Sequence, residues 1–257
     1  MAVPPLRALV EAGHDVAMVV TRADKRRGRG GELSPSPVKA AAMELGIPVS
    51  HHVDDVLGQR IELGVVVAFG ELIRPHVLAE VPMVNLHFSL LPRWRGAAPV
   101  ERALLAGDSV TGVCLMQLEE GLDTGPVFST VHVPIESRCT AAELRDTLVA
   151  VGTRQLIDAL GAPLPHPVPQ AGEPLYAAKI RPEELRIDWS APAAQIDRLV
   201  RLGGAWTTLR GKRVKVLAAD LVADELLPVT VQPEGKGPMP FADFARGARL
   251  LPDEHFE

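Results

Sequence analysis

The sequence GVVVAF at residues 64–69 restricts the fold of this chain more than any other segment. A continuous apolar run rich in β-branched residues is typical of a strand that is buried on both faces of a parallel sheet. A helical pattern around residues 72–80 and a second apolar strand at 83–88 follow it. Parallel strands need a crossover connection, so this order predicts an α/β sheet with crossover helices.

The first 160 residues repeat this alternation of helices and strands. Ser36 is expected to cap the second helix and Gly46 to end it, and Thr140 with Glu143 forms a capping box before the last helix. The predicted helices are 4–12, 37–45, 72–80, 97–106 and 140–160, and the predicted strands are 15–20, 64–69, 83–88, 111–118 and 127–135.

The segment 161–174 contains five prolines and little periodicity, which indicates an extended linker. It is followed by a helix at 192–202, entered through Ser190, and by strands at 205–209, 214–219 and 229–232. This pattern predicts a small β-rich domain such as a barrel. The predicted organisation is a catalytic domain at 1–161, a linker at 162–183 and a carboxy-terminal domain at 184–257.

The formal net charge of -5 argues against a surface that binds nucleic acid everywhere, so any such contact must be local. The two candidates are the basic segments RADKRRGRG at 22–30 and RGKRVK at 210–215, although each, taken alone, is better interpreted as a solvated charged loop or hairpin. Cys114 and Cys139 are not spaced as a metal or redox pair and are interpreted as structural. No apolar run approaches the roughly 20 residues of a membrane span, and a cytosolic protein without a membrane partner is expected.

Asn85 and His87 are two apart on the strand at 83–88, so both side chains leave the same face. An amide and a protonated imidazole aimed at one point suit acyl transfer, because both donate hydrogen bonds to a developing oxyanion. Asp123, in the glycine-punctuated loop GLDTGPV, could reach the same edge and favour the imidazolium. By spacing alone, Asn85 and His87 could also be satisfied polar groups, and Asp123 a turn residue.

The segments NLHFSLLPRWRGAAPV and GLDTG closely resemble the signature of the 10-formyltetrahydrofolate-dependent formyltransferases. The similarity extends to TRADKRRGRGGELSPSPVK, YAAKIRPEELRIDWS, VQPEGKGPM and FARGARL, and it therefore touches nearly the whole chain. The resemblance implies a Rossmann-like domain with a parallel-rich sheet, joined to a small barrel of the OB type.

The resemblance also implies a role for individual residues. Asn85, His87 and Asp123 would be catalytic, and no metal would be needed. The folate-binding residues would be Phe69, Gly70, Leu72, Ser89, Leu90, Leu91 and Pro92. The tRNA-binding residues would be Arg26, Arg27, Arg29, Arg210, Lys212 and Arg213. The formyl donor would be 10-formyltetrahydrofolate, the acceptor would be initiator methionyl-tRNA, and the enzyme would be a monomer.

Two groups of alternatives stay open. The acceptor could be an amino sugar or glycinamide ribonucleotide, or the chain could be a non-catalytic folate- or RNA-binding protein or an inactive fragment. The resemblance implies that relatives have an apolar strand and a glycine-containing loop before the first helix. It also implies that they have more residues around 53–63, 202–205 and 222–229.

Overall fold

The computed structural model describes residues 1–27, 31–251 and 254–257. Its helices are α1 (Val3–Glu11), α2 (Pro37–Glu44), α3 (Pro75–Glu80), α4 (Pro99–Ala106), α5 (Ala141–Leu160), α6 (Ala193–Leu202) and α7 (Phe241–Ala248). Its strands before the proline-rich segment are β1 (Val19–Val20), β2 (Lys25–Arg27), β3 (Glu32–Ser34), β4 (Val49–Ser50), β5 (Gly64–Val67), β6 (Met83–His87), β7 (Arg95–Gly96), β8 (Val110–Gln117) and β9 (Val127–Pro134). Those after it are β10 (Tyr176–Ala177), β11 (Trp206–Leu209), β12 (Lys212–Val222), β13 (Glu225–Pro233) and β14 (Met239–Pro240).

The chain divides by its internal contacts into two units. The first unit comprises Met1–Pro99, Val110–Pro134 and Arg145–Ala177, and the second comprises Val100–Ser109, Ile135–Leu144 and Ala178–Glu257. The domain boundaries given by the sequence stay a prediction.

The first unit contains a mixed sheet in the order β5-β6-β8-β9. β5 and β6 are parallel, whereas β8 and β9 are antiparallel to their neighbours. A second parallel pair joins β1 and β4. The predicted α/β class with parallel strands is confirmed, and the antiparallel strands complete the sheet around β6.

β5 differs from its prediction in burial. Each of its residues is half-buried, where the valine run predicted burial on both faces. β5 is an edge strand of this four-stranded sheet, and β6 is the strand that pairs with it. The composition of the run correctly predicted a strand. It could not predict whether that strand lies at the centre or at the edge of the sheet.

The proline-rich segment after α5 runs along the first unit. Val168 and Val127 exchange two backbone hydrogen bonds of 2.8 Å, and β10 pairs in parallel with β7. Part of the predicted linker is therefore attached to the sheet region and to the loop that follows β6.

The second unit has an antiparallel sheet in the order β11-β12-β13-β14, which confirms the predicted β-rich domain. Its core combines the inward residues of these strands with Ile196 and Val200 of α6 and Phe244 of α7. The sequence analysis did not predict α7. It also expected Ser190 to begin α6, which was wrong, because the N-cap is Pro192 and Ser190 bonds to Asp188 instead.

Candidate active site

Asn85 and His87 lie on β6, where every residue is buried between the neighbouring strands β5 and β8. Asn85 is 8% exposed and His87 is 5% exposed. Alternation along the strand directs both side chains to the same face. A buried polar group needs a hydrogen-bond partner, so the partners of these two side chains define the site.

Asp123 reaches this face through a left-handed backbone conformation, with φ of 51° in the loop between β8 and β9. Its carboxylate accepts a hydrogen bond of 2.8 Å from the backbone N–H of Gly96 and a longer one of 3.4 Å from Asn85 Nδ2. Asp123 Oδ2 also lies 3.5 Å from His87 Nδ1. The structure therefore brings all three predicted catalytic residues together around one carboxylate.

The imidazole of His87 lies between Asp123 and a backbone carbonyl. Nε2 is 2.9 Å from the carbonyl oxygen of Trp94. A carbonyl can only accept, so Nε2 carries a proton and Nδ1 faces the carboxylate. Burial lowers the pKa of His87 from 6.5, the Asp123 charge and the Trp94 carbonyl oppose this, and Arg95 lowers it further. The carboxylate thus favours the imidazolium, as the sequence analysis expected, but burial outweighs it.

The loop after β6 contains the four residues that the resemblance assigns to folate binding. Ser89 is fully buried, and its hydroxyl donates a hydrogen bond of 2.6 Å to the Arg93 carbonyl. Leu90, Leu91 and Pro92 are half-buried, and the bond between Leu91 and Pro92 is cis. Ser89 therefore shapes the loop from inside, while the next three residues reach its surface.

A second loop begins at the carboxyl end of β5, level with His87. Val67 pairs with Leu86, so the residues that follow in each strand emerge at the same edge of the sheet. This loop contains the other proposed folate residues, Phe69, Gly70 and Leu72. The side chain of Leu72 is apolar yet 70% exposed. Ligands collect at the carboxyl ends of strands in open α/β sheets, and both loops lie there.

The amino-terminal basic segment forms a hairpin in which β2 pairs with β3. Arg26 is exposed on β2, Arg27 ends that strand, and Arg29 lies outside the described residues. At the base of the hairpin, Lys39 Nζ binds both carboxylate oxygens of Asp24, at 2.9 and 2.8 Å. This ion pair fixes the start of the hairpin to α2.

The carboxy-terminal basic segment contains arginines in two different environments. Arg210 forms an ion pair with Glu254 and donates a hydrogen bond of 3.0 Å to the Ala248 carbonyl. Arg213 and Lys212 are exposed at the start of β12, and the guanidinium of Arg213 lies 4.1 Å from the ring centroid of Trp206. All three side chains are exposed, but the guanidinium of Arg210 is engaged by Glu254 and a backbone carbonyl of the second unit.

Sequence reasoning missed the backbone groups and one side chain that position the three central residues. The Trp94 carbonyl and the Gly96 N–H carry no residue-type signal, because every residue has such groups. Trp206, whose ring lies under the guanidinium groups of Arg186 and Arg213, was not singled out either. Gln170, which bonds to the Asp123 loop, falls in a segment without periodicity.

The two cysteines are free thiols, and burial raises the pKa of the Cys114 thiol beside Thr130. Within the ranges that the structure describes, no cluster of three or more histidine, cysteine, aspartate or glutamate side chains is arranged to bind a metal ion. None of the described helices combines the length and apolarity that crossing a bilayer requires.

Comparison with known proteins gives two matches to family models. The model described as formyl transferase matches residues 4–160, and the model described as formyl transferase, C-terminal domain, matches residues 179–227.

Individual relatives cover most of the chain. The methionyl-tRNA formyltransferase of Roseobacter denitrificans is 44% identical over 248 residues, which are 90% of this chain and 81% of the relative. That of Acidothermus cellulolyticus is 41% identical over 315 aligned positions, with 100% of this chain and 97% of the relative covered. The solved N-formyltransferase of Helicobacter canadensis, in complex with folinic acid and dTDP-3-aminofucose, has a TM-score of 0.66 at 16% identity, over 91% of this chain and 92% of that chain.

Proposed function

Because the chain belongs to the formyl transferase family, we propose that it transfers the formyl group of 10-formyltetrahydrofolate to the α-amine of initiator methionyl-tRNA. One observation carries this proposal. Asn85, His87 and Asp123 converge at the strand edge of a chain that is 44% identical, over 90% of its length, to a protein named for this reaction.

In the proposed reaction, the methionine nitrogen attacks the formyl carbon, a new C–N bond forms, and the bond from that carbon to N10 of the folate breaks. A neutral amine is needed, and an α-amino group with a pKa of about 7.7 to 8.0 is partly neutral near pH 7. Asn85 Nδ2 donates to the oxygen of the tetrahedral intermediate, since its 3.4 Å bond to Asp123 is long and readily exchanged. Such donors typically contribute roughly 100- to 1000-fold in rate.

Asp123 and His87 complete the proton transfer. The carboxylate, which the Gly96 N–H holds in place, accepts the proton of the attacking nitrogen and returns it to N10 as that atom leaves. His87 donates through Nε2 once the formyl oxygen replaces the Trp94 carbonyl, and the Asp123 charge stabilises the imidazolium form.

Two exposed basic surfaces support tRNA as the acceptor. Arg26 is exposed on β2 of the basic hairpin, and Lys212 and Arg213 are exposed at the start of β12. Arg27 and Arg29 belong to the same basic segment in the sequence as Arg26. Arg210 is engaged with Glu254 and is better assigned to stability than to RNA contact. We further propose that the protein acts in the cytoplasm as a monomer, without a metal or membrane partner.

The rival acceptors are less well supported. The solved structure that holds an amino sugar nucleotide is 16% identical to this chain, which supports a shared fold alone. The relatives at 41% and 44% identity are both named for methionyl-tRNA. The other alternative is an inactive form. The alignment with the Acidothermus relative has 315 positions, against 257 residues in this chain, so that relative has residues without a counterpart here.

The test is formyl transfer from 10-formyltetrahydrofolate to charged initiator tRNA, compared with transfer to glycinamide ribonucleotide and to a dTDP-linked amino sugar. We expect N-formylmethionyl-tRNA to form and kcat to fall at least about 100-fold in Asn85→Ala and in His87→Ala. His132→Ala, which changes an exposed histidine on β9, is the matched control and should keep full activity. Preferred transfer to a small acceptor, or none at all, would reject the proposal.

A further inference from the structure

Gln170 connects the loop of Asp123 to Arg95. Its Nε2 donates hydrogen bonds of 2.9 Å to the Asp123 carbonyl and 2.8 Å to the Gly125 carbonyl. Its Oε1 accepts from Arg95 Nε at 3.1 Å and from Arg95 Nη2 at 2.7 Å. An amide side chain has two N–H donors and two acceptor lone pairs, so this set uses its full capacity.

Backbone hydrogen bonds on both sides of Gln170 fix its position in the chain. Val168, two residues earlier, pairs with Val127 at the start of β9. Tyr176 and Ala177 pair with Arg95 and Gly96 a few residues later. The segment is therefore attached on both sides of Gln170, which limits the conformations that its amide can reach.

The two carbonyls that Gln170 bonds flank the turn at Asp123. Asp123 has φ of 51°, a conformation that costs energy for a residue with a side chain and persists only when its surroundings fix it. Gly125 allows the close approach of the Gln117 carbonyl, which a side chain would prevent. Gln170 therefore fixes the backbone of the turn, while the Gly96 N–H fixes its carboxylate.

The amide oxygen of Gln170 binds the positively charged guanidinium of Arg95. Arg95 precedes Gly96, and its charge acts on His87, where it lowers the pKa of the ring. Gln170 binds the guanidinium with a neutral oxygen through two nitrogens. This bond therefore fixes the position of the Arg95 charge beside the turn at Asp123.

We propose that Gln170 is a positioning residue, which acts through Asp123 by fixing its turn and by holding the Arg95 guanidinium in one place beside that turn. This inference rests on the proposed function for its kinetic consequence, since the carboxylate must meet His87 and the attacking nitrogen in one geometry. Displacement of a reacting group by about 1 Å can reduce a rate about 100-fold.

Two substitutions separate the two ends of the amide. Gln170→Met removes all four bonds at similar length, whereas Gln170→Glu can still accept from Arg95 but cannot donate to the two carbonyls. We expect both variants to lose about 10- to 100-fold in kcat while the KM values for folate and tRNA change little, because the loss concerns the transition state. Gln155→Met is the matched control, since Gln155 is a buried glutamine whose amide bonds to Ser129, away from the Asp123 turn.

A second measurement does not depend on formyl transfer. The Gly96 N–H is protected by the Asp123 carboxylate, so its hydrogen exchange, followed by NMR, reports directly on the turn. We expect faster exchange at Gly96 in both Gln170 variants than in the wild type or Gln155→Met.

The outcomes are distinguishable. If the wild type forms no formylated product, the proposed function fails, and exchange at Gly96 alone decides whether Gln170 positions Asp123. Unchanged exchange in both variants overturns the inference. Faster exchange with wild-type kcat in an active enzyme also overturns it, because the turn would then move without any effect on the reaction.

Discussion

At the scale of single residues, the imidazole of His87 has an acceptor at each nitrogen: the Trp94 carbonyl at Nε2 and the Asp123 carboxylate at Nδ1. A neutral imidazole has one N–H and can satisfy only one of them. Protonation would satisfy both, but burial disfavours the charge. The protonation state of His87 therefore depends on Asp123 more than on any other side chain.

This balance can be measured by NMR titration of the His87 ring. Burial lowers the pKa of His87 below 6.5 in the wild type, and Asp123 partly offsets that effect. Asp123→Asn removes the carboxylate, so the pKa of His87 should fall further. Asp146→Asn, an exposed change on α5, should leave it where it is in the wild type. A wild-type ring that titrates above 6.5, or a higher pKa in Asp123→Asn, would contradict this account.

The sequence could predict the three central side chains but not their surroundings. The two-residue spacing of Asn85 and His87 follows from strand geometry, and the glycine-punctuated loop made Asp123 a reasonable third member. Their contacts with Trp94 and Gly96 are to backbone atoms, and the φ of 65° at Trp94 has no sequence signal of the kind that glycine gives. Such contacts depend on tertiary structure.

At the scale of helices and strands, Ser36 links two elements of the first unit. Its hydroxyl accepts the N–H of Lys39, which caps α2, and lies 3.1 Å from the hydroxyl of Thr21 after β1. The sequence predicted this cap, and the structure confirms it. Lys39 on the same turn binds Asp24, so the cap also fixes the base of the basic hairpin.

Ser36→Ala should therefore lower the free energy of unfolding by about 1 kcal/mol, the typical loss for an N-cap serine. Urea denaturation followed by circular dichroism measures it. Ser190→Ala is the control, because Ser190 was predicted to begin α6 but does not cap it. A loss at Ser190 as large as that at Ser36 would mean that the capping bond is not the cause.

Elements were predictable where local pattern and tertiary structure agree. The capping box of α5 is present, with the Thr140 N–H bonded to Glu143 at 2.9 Å. The predicted helix at 72–80 begins later, at Pro75, because a proline favours the first turn of a helix. α7 was missed because eight residues containing a glycine give a weak helical signal.

At the scale of the whole molecule, a formal net charge of -5 must be reconciled with an anionic substrate. The basic residues proposed to bind RNA lie on the β2–β3 hairpin and at the start of β12, so they allow few phosphate contacts, while acidic residues repel RNA. The proposed tRNA binding should therefore depend on salt, but less steeply than in a protein with a continuous basic surface.

Arg213 and Arg210 give this expectation a matched test. Arg213 is exposed beside Trp206, so Arg213→Ala should reduce the slope of log KM for tRNA against log salt by about one, the effect of one lost phosphate contact. Arg210 is paired with Glu254, so the double variant Arg210→Gln with Glu254→Gln removes an equal and opposite pair of charges. We expect that double variant to lower the melting temperature and to leave the slope unchanged. A reduced slope in the double variant with none in Arg213→Ala would assign the RNA contact to Arg210 and show that its ion pair opens when tRNA binds.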